Sequence, residues 1–286
     1  MKAAPFEYHA PSGLAEAAGL LAQLENAKVV AGGQSLVAMM NFRYVIVDHL
    51  VDLNNVAGLS GIELAGDRLR IGAMTRQRDL EDSSLVGRHC PLLHEALRYV
   101  GHRQTRNRGT IGGSLAHADP SAEQPAVCAT YDADVQLVSV RGTRTVPFAQ
   151  FGVDFMATAI EPDEILAAIE FPLWSPKHGF GFREFARRHG DFAVVACAAL
   201  LEMNPDRSIA RAAITLAGVG VKPVRVTAAE QALLNRPLDE ASLKMAASIA
   251  GDIQPISDIH AGPDYRRHLA RVLTRQAIMD AASRAS

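Results

Sequence analysis

The sequence predicts an α+β protein, in which two mixed helix–strand lobes precede a C-terminal domain of antiparallel strands and helices. Helical and strand-like hydrophobic patterns alternate as far as about residue 176. A Pro/Gly stretch, WSPKHG from Trp174 to Gly179, then indicates a boundary. Three long strand-like segments follow it, and the rest of the chain has helical spacing. We therefore expect three units, residues 1–58, 59–176 and 177–286.

The first two units contain several helix signals and several strand signals. LAEAAGLLAQLEN, which begins at Leu14, has helical spacing, whereas KVV and IVDHLVDL are strand-like. Alternating apolar residues around Gly66 predict a β-hairpin. CPLLHEALRYVG predicts a helix that starts at Pro91 and ends at Gly101, because proline suits a first turn and glycine suits a helix end.

Further along, SAEQPAVCATYDA is predicted to be helical despite Pro125, and a second hairpin is predicted around Gly142. DEILAAIEFPL closes the second unit as a strand. FGFREFARR, DFAVVACAALLEM and IARAAITLAGV predict a three-stranded antiparallel sheet in the third unit. In the tail, YRRHLARVLTRQAIMDAA predicts a helix whose apolar stripe is Leu269, Val272, Leu273 and Ala277. Its basic part, 266–275, is interpreted as a solvated helix face.

Composition limits the kind of partner and the cellular location. The net charge of the 286-residue chain is −2, so nothing favours nucleic acid or an anionic membrane. The longest apolar run, from Ala193 to Leu201, is far shorter than the ~18 residues of a membrane span. The three cysteines are scattered, which excludes an iron–sulfur cluster held by this chain alone. With no secretory signal visible, we expect a cytoplasmic protein, with association to the inner face of a membrane through partners as the alternative.

Two glycine pairs carry the main functional signal. VVAGGQSLVAMMNF (29–42) and RNRGTIGGSLAHADPSAEQPAV (106–127) each place two glycines before an apolar helical run and a small hydroxyl residue. Glycines permit positive φ and close backbone approach, and exposed N–H groups at a helix start attract anions. Two such loops would match the two phosphates of a diphosphate. Neither loop fits a Rossmann or P-loop motif, so spacing alone leaves an ordinary turn equally open.

Both glycine segments resemble the flavin loops of the medium subunit of molybdenum hydroxylases, the family of carbon monoxide and xanthine dehydrogenases and bacterial N-heterocycle hydroxylases. VDL, IGAMT, DEIL…IEFP and RRHGDFAVVACAA resemble family segments in the same order, so the resemblance covers nearly the whole chain. It implies a vanillyl-alcohol-oxidase (PCMH) type FAD-binding fold of two α/β lobes, followed by the family's C-terminal domain. It also implies that FAD binds between the lobes.

The resemblance assigns cofactor contacts to particular positions. Backbone groups of the first loop are expected to hold the diphosphate, and the second loop adds further contacts beside the flavin and adenine side of the site. The implied residues are Lys28, Val29, Ala31, Gly32, Gly33, Gln34, Ser35, Leu36, Val100, Gly101, Thr105, Gly109, Thr110, Gly112, Gly113, Ser114 and Ala116.

Four further positions are implied with more specific roles. Glu123 matches a family carboxylate that bonds sugar or ribityl hydroxyls, and Asp119 competes for that role. Ile165 is expected to cover the isoalloxazine, unless it is plain strand core. Arg183 matches a cationic residue near the flavin ring. For His117, a surface or supporting role is favoured over covalent attachment of the flavin.

Three sequence features leave alternatives open. The basic segment His102–Arg108 is a weak candidate for nucleic acid, and a diphosphate approach or an intersubunit contact is favoured. Many family members have Asn where this chain has Ser114, which removes one expected hydrogen bond. Gln34 stands where carbon monoxide dehydrogenases have His, which favours an N-heterocycle over carbon monoxide or an aldehyde. Because the substrate site lies on another subunit, that inference is indirect.

The resemblance implies an oxidoreductase subunit that transfers electrons. FAD takes electrons from the [2Fe–2S] clusters of a small subunit, a molybdopterin large subunit oxidises the substrate, and an external acceptor receives the electrons. The assembly expected is a dimer of heterotrimers. No catalytic residue and no metal ligand is predicted on this chain, because no nucleophile, zinc or paired-carboxylate pattern is present. The alternatives are a stand-alone FAD oxidoreductase of the same fold and a scaffold that has lost its cofactor.

Overall fold

The computed structural model describes residues 1–285, and a small parallel sheet opens the chain. Its strands are ordered β1-β3-β2 and all pair in parallel. The predicted first helix and both strands are confirmed. The elements are β1 (Glu7–His9), α1 (Leu14–Gln23), β2 (Ala27–Val30), α2 (Leu36–Asn41) and β3 (His49–Asp52).

The second sheet is antiparallel and follows the order β4-β5-β10-β6-β7. Both predicted hairpins are confirmed, with Gly66 and Gly142 at positive φ in their turns (64° and 124°). Its strands are β4 (Ile62–Ala65), β5 (Arg68–Gly72), β6 (Asp134–Ser139), β7 (Gly142–Pro147) and, at its centre, β10 (Ile165–Pro172). A separate two-stranded ribbon contains β8 (Gly152–Asp154) and β9 (Ala157–Thr158).

Seven short helices lie between these strands. The predicted helix with Pro125 is confirmed: Pro125 is its third residue, where a backbone N–H has no partner within the helix and none is lost. The helices are α3 (Gln77–Asp82), α4 (Ser84–His89), α5 (Pro91–Ala96), α6 (Arg103–Arg108), α7 (Ile111–His117), α8 (Glu123–Tyr131) and α9 (Phe148–Phe151).

The C-terminal sheet has four strands rather than the predicted three. The extra strand is only two residues long and pairs with Thr215 and Leu216, so no periodicity indicated it. The elements are β11 (Gly179–Phe185), β12 (Val195–Met203), β13 (Ile209–Ala217), β14 (Val224–Arg225), α10 (Thr227–Leu233), α11 (Glu240–Gly251) and α12 (Pro263–Arg284). Helix α12 packs closely on β11, where a Cβ at Gly179 would lie 1.7 Å from the Ala281 carbonyl oxygen.

Two predictions about α12 are wrong. Val272 is 37% exposed, whereas Leu269 and Leu273 of the predicted stripe are buried. Arg266 is 1% exposed, so this end of the basic segment is not a solvated face. Its guanidinium donates to the carbonyls of Val194 and Gly218, and it is ion-paired with Asp258. Long-range carbonyl partners make burial of this charge possible, and they cannot be read from helical spacing.

One hydrophobic core joins the second sheet, its helices and the C-terminal sheet. Phe182, Ala196 and Leu200 belong to the same buried cluster as Leu92 and Tyr131. The division at residues 58 and 176 stays a prediction, although each of the three larger sheets falls within one predicted unit. Among residues 1–285, no helix combines the length and the apolar character needed to cross a membrane.

Candidate functional site

A cleft of about 870 Å³ lies between the parallel sheet and the second sheet. Four segments of the chain line it, within residues 27–36, 100–123, 156–166 and 190–192, and Met74 and Gln77 add to the wall. The structure brings all the predicted cofactor-binding residues to this cleft, with the exceptions of Asp119 and Arg183. Its volume is typical of a site for a large organic ligand.

The first glycine loop presents backbone donors to the cleft. Gly33 has φ of +72°, which an L-residue rarely adopts. Within the described residues, the amides of Gly32, Gly33, Gln34 and Ser35 donate no hydrogen bond to protein atoms. Successive free N–H groups around a residue of positive φ form an anion-binding concavity. The loop therefore has the donors that a diphosphate requires.

The second glycine loop is different, because its amides already have partners. The N–H of Gly112 donates to the Ala73 carbonyl (2.9 Å), and the N–H of Gly113 donates to Thr110 Oγ1 (3.0 Å). The N–H of Ser114 donates to the Thr110 carbonyl (3.1 Å). The expectation that both pairs present free amides is therefore wrong for this loop. The second loop presents the hydroxyl of Ser114 to the cleft. This hydroxyl has no hydrogen-bond partner among the described residues.

Three of the four glycines serve close packing rather than positive φ. A Cβ at Gly32 would lie 2.2 Å from the Arg108 carbonyl oxygen, and one at Gly112 would lie 2.5 Å from Ala73 Cβ. A Cβ at Gly113 would lie 2.8 Å from the capping hydroxyl at position 110. Gly32 thus lets the two loops approach each other, Gly112 and Gly113 allow close packing around the second loop, and Gly33 alone among the four supplies the unusual backbone conformation.

Asn54 and Arg76 join the two loops, and sequence reasoning missed both residues. Asn54 Nδ2 donates to the Ala31 carbonyl in the first loop (3.0 Å). Arg76 donates both to Asn54 Oδ1 and to the Arg108 carbonyl before the second loop. Burial, reinforced by the Arg108 charge, lowers the pKa of Arg76. These residues are separated by many positions along the chain, so no local spacing could have indicated them.

Two carboxyl groups, one in the cleft lining and one on β11, have raised pKa values. Glu123 begins α8, lines the cleft and is 4% exposed. Burial, with a smaller effect of Asp119, raises the pKa of Glu123 to about 7. Burial and the charge of Glu123 raise the pKa of Glu184 on β11 to about 9, and its Oε2 is buried without a partner among the described residues. Strand alternation could have shown that Glu184 faces the opposite way from Arg183.

The raised pKa values of Glu123 and Glu184 predict that these two groups contribute less stability to the flavin-free protein as pH rises. The folded state retains protons on them that the unfolded chain releases near the ordinary pKa of 4.5, so their contribution to the free energy of unfolding falls between about pH 4.5 and 9, opposite in sign to that of His117 and His178, whose pKa values burial lowers. Glu184→Gln removes one such group and should raise the unfolding free energy at pH 8 by about 1–3 kcal/mol. Urea melts across this pH range measure both effects. The exposed Glu25→Gln serves as the control, and parallel pH profiles for the two variants would contradict the prediction.

Two of the implied site residues lie outside the cleft. Asp119 Oδ1 accepts the N–H of Ser121 (2.8 Å) and so stabilises the turn before α8. Arg183 points toward α12, where its NH2 donates to Asp280 Oδ1 (2.9 Å). The expectation that Arg183 lies beside the flavin is therefore corrected. Ile165 meets both of its interpretations, because it lines the cleft and is 1% exposed in the core.

The basic segment His102–Arg108 contains α6 and is partly structural. Arg106 is buried, its Nε contacts Glu81 Oε2 at 3.0 Å, and its NH1 donates to the Val100 carbonyl. This arrangement holds the turn of Val100 and Gly101 against the cleft. The proposed intersubunit contact of this segment stays a prediction.

A further wall of the cleft was not assigned from the sequence. Gly190, Asp191 and Phe192 line it from the loop between β11 and β12, and Phe192 is 54% exposed. Gly190 has φ of +86° and packs on His102. The glycine within RRHGDF could have indicated a loop, but nothing nearby in the sequence indicated that this loop contacts the first two units.

Comparison with known proteins identifies the family. Residues 4–174 match the model of the FAD binding domain in molybdopterin dehydrogenase. Residues 180–281 match the carbon monoxide dehydrogenase flavoprotein C-terminal domain. The chain belongs to the FAD-binding medium subunits of the molybdenum hydroxylases.

Members of this family are similar to this chain over their whole length. The nicotine 6-hydroxylase medium subunit of Paenarthrobacter nicotinovorans is 37% identical, over 99% of this chain and all of that one. The structure of carbon monoxide dehydrogenase from Hydrogenophaga pseudoflava is 35% identical with a TM-score of 0.97, and each chain is covered fully. The structure of quinoline 2-oxidoreductase from Pseudomonas putida 86 is 37% identical with a TM-score of 0.95, over 99% of each chain.

The resemblance stated from the sequence, the PCMH-type fold and the assignment to the oxidoreductases are confirmed. FAD is the cofactor of this family, and the cleft fits it on observations independent of the comparison. The first loop has free amides for a diphosphate, and the walls combine apolar side chains with a few polar groups.

Proposed function

We propose that this medium subunit transfers electrons between iron–sulfur clusters of a partner and an external acceptor. The observation that carries the proposal is the cleft, which is lined both by the free amides at Gly32–Ser35 and by the buried carboxyl of Glu123. FAD bound there exchanges electrons singly or in pairs. The cysteines at 90, 128 and 197 are free and buried, and burial raises the pKa of each thiol, so they offer no alternative route.

The chain's own residues act by binding and positioning. The amides of the first loop donate to the diphosphate, and Asn54 with Arg76 keeps this loop against the second one. Glu123 holds a proton over part of the neutral range, so its carboxyl can donate to or accept from a sugar or ribityl hydroxyl. Ile165 and Val100 provide apolar surface for the ring system and keep water from it.

The proposed partners are a [2Fe–2S] small subunit and a molybdopterin large subunit, assembled as a dimer of heterotrimers. The relatives are named as subunits of enzymes that act on nicotine and on carbon monoxide, and they match this chain at 37% and 34% identity. Because relatives with different substrates have similar sequence identity to this chain, we infer that the partner subunit determines the substrate. An N-heterocycle is the proposed substrate class, resting on Gln34 and Ser114, and the cytoplasm is the proposed location, resting on the free cysteines.

Reconstitution from separately purified subunits tests this function. We expect the isolated, FAD-loaded chain to keep its flavin absorbance near 450 nm when an N-heterocycle, purine, aldehyde or carbon monoxide is added under anaerobic conditions. Bleaching should begin only when the iron–sulfur and molybdenum subunits are present. The reason is that we assign the molybdenum chemistry to a partner subunit, so this chain must receive its electrons from another polypeptide.

The alternatives predict different outcomes in the same experiment. Bleaching of the isolated chain by substrate would replace the proposal with a stand-alone oxidoreductase. A colourless chain that cannot be loaded with FAD would indicate a scaffold. A complex assembled with a flavin-free variant of this chain is the matched control: substrate should reduce the partner centres once, and turnover should then stop because no electrons reach the external acceptor.

A further inference from the structure

Two histidines and one glutamate meet on the small parallel sheet, at the start of the chain. Glu7 and His9 are alternate residues of β1, and His49 begins β3 in register with Glu7. Their side chains therefore leave the same face of the sheet. His9 Nε2 lies 3.2 Å from His49 Nδ1, which lies 3.4 Å from Glu7 Oε2.

Hydrogen bonding alone does not account well for this convergence. His49 Nδ1 can carry one hydrogen, yet it faces both a carboxylate oxygen and another imidazole nitrogen. If this hydrogen points at one of the two atoms, His49 has no hydrogen directed at the other. A cation satisfies all three atoms at once, because each can contribute a lone pair.

The distances fit a small transition-metal ion. With bonds of about 2.0–2.1 Å, neighbouring ligand atoms of a tetrahedral site lie about 3.3 Å apart. The two measured separations, 3.2 and 3.4 Å, are close to that value. Glu7 is 75% exposed, so its side chain can rotate to complete the third edge, and all three atoms already lie within 4.8 Å of one another.

We propose that Glu7, His9 and His49 bind a divalent transition-metal ion of the Zn²⁺ class, with water as the fourth ligand. Two imidazoles and one carboxylate suit zinc, cobalt, nickel or copper better than magnesium or calcium. The sequence suggested no metal site because the third ligand lies on a different strand, forty residues from His9.

The metal site does not overlap the glycine loop that presents the free amides. None of its three ligands lines the cleft. His49 is in register with Ala27 at the start of β2, whereas the glycine loop follows the other end of that strand. The strand length puts the glycine loop about 13 Å from His49, although Ala27 itself lines the cleft. Metal binding should therefore leave the FAD content unchanged.

The proposed role is to hold β1 in place. This strand has three residues and lies at the edge of its sheet, so it has a neighbour on one side only. A metal that bridges β1 and β3 cross-links the first strand of the chain to the strand beside it. Because the site exists only in the folded state, metal binding should raise the melting temperature.

Cobalt binding to the FAD-loaded protein tests the proposal. Untagged protein is treated with a chelator, desalted and titrated with CoCl₂, and then with ZnCl₂ in competition. We expect one equivalent of Co²⁺, visible absorption bands of a four-coordinate ion, and displacement by Zn²⁺. His9→Gln and His49→Gln should weaken binding at least tenfold and abolish the metal-dependent rise in melting temperature. Glu7→Gln should weaken binding less, because the amide oxygen of the glutamine can still act as a neutral ligand.

The matched control is His260→Gln, which alters an exposed histidine outside the cluster and should bind like the wild type. The flavin absorbance of each variant shows whether it is folded, and the exposed Glu7 gives a variant that should fold in any case. Absence of stoichiometric cobalt binding to the wild type would overturn the proposal. Equal binding by the wild type and both histidine variants would also overturn it, since the metal would then lie elsewhere.

Discussion

Gly33→Val is expected to cause loss of FAD binding by this chain. Position 33 has φ of +72°, and a side chain there costs about 1–2 kcal/mol, more when it is β-branched. A Cβ would also lie 3.0 Å from Val37 Cγ2. The loop must change conformation to relieve this strain, which turns the amides of Gly32 to Ser35 away from the diphosphate. At 1.4 kcal/mol per factor of ten, FAD affinity should fall at least tenfold.

The ratio of flavin to protein after gel filtration, and titration of the apoprotein with FAD, measure the loss. Gly58→Val is the matched control, because Gly58 also has positive φ (+80°), is exposed and has nothing near its missing Cβ. It imposes similar backbone strain away from the cleft and should keep its flavin. Equal flavin content in the two variants would show that the first loop does not hold the diphosphate.

Arg266→Met is expected to cause the largest loss of stability. The guanidinium is buried, pairs with Asp258, and donates to the carbonyls of Val194 and Gly218, which lie at the same end of the β12–β13 pair. Removing it leaves buried carbonyls without donors and a carboxylate without its partner. We expect the free energy of unfolding to fall by about 3–5 kcal/mol.

Urea denaturation followed by circular dichroism measures this change. The control is Arg275→Met on the same helix, whose side chain is 40% exposed and pairs with Glu240 at 2.8 Å. An exposed ion pair contributes about 0–1 kcal/mol, so this variant should be close to the wild type. Similar small losses for both variants would mean that Arg266 is not a buried structural link.

Local sequence patterns were sufficient to predict most of the secondary structure and the first of the two glycine loops of the site. The hairpins at Gly66 and Gly142, the helix through Pro125 and the first glycine loop depend on residues close together in sequence. For such features, backbone preferences and hydrophobic periodicity are decided within a few residues. The family resemblance then placed nearly every implied cofactor contact on the observed cleft.

The sequence by itself thus determined the order of the elements, the FAD-binding family and the residues of the first loop. Tertiary structure alone decided that the amides of the second loop bond to Ala73 and Thr110, and that Arg183 points to α12 while burial and the charge of Glu123 raise the pKa of Glu184. It also decided the burial of Arg266 and the meeting of His9 with His49. The physical reason is common to these cases. Each depends on a partner many residues away, and only the packing of the chain determines which groups become neighbours and which lose their water.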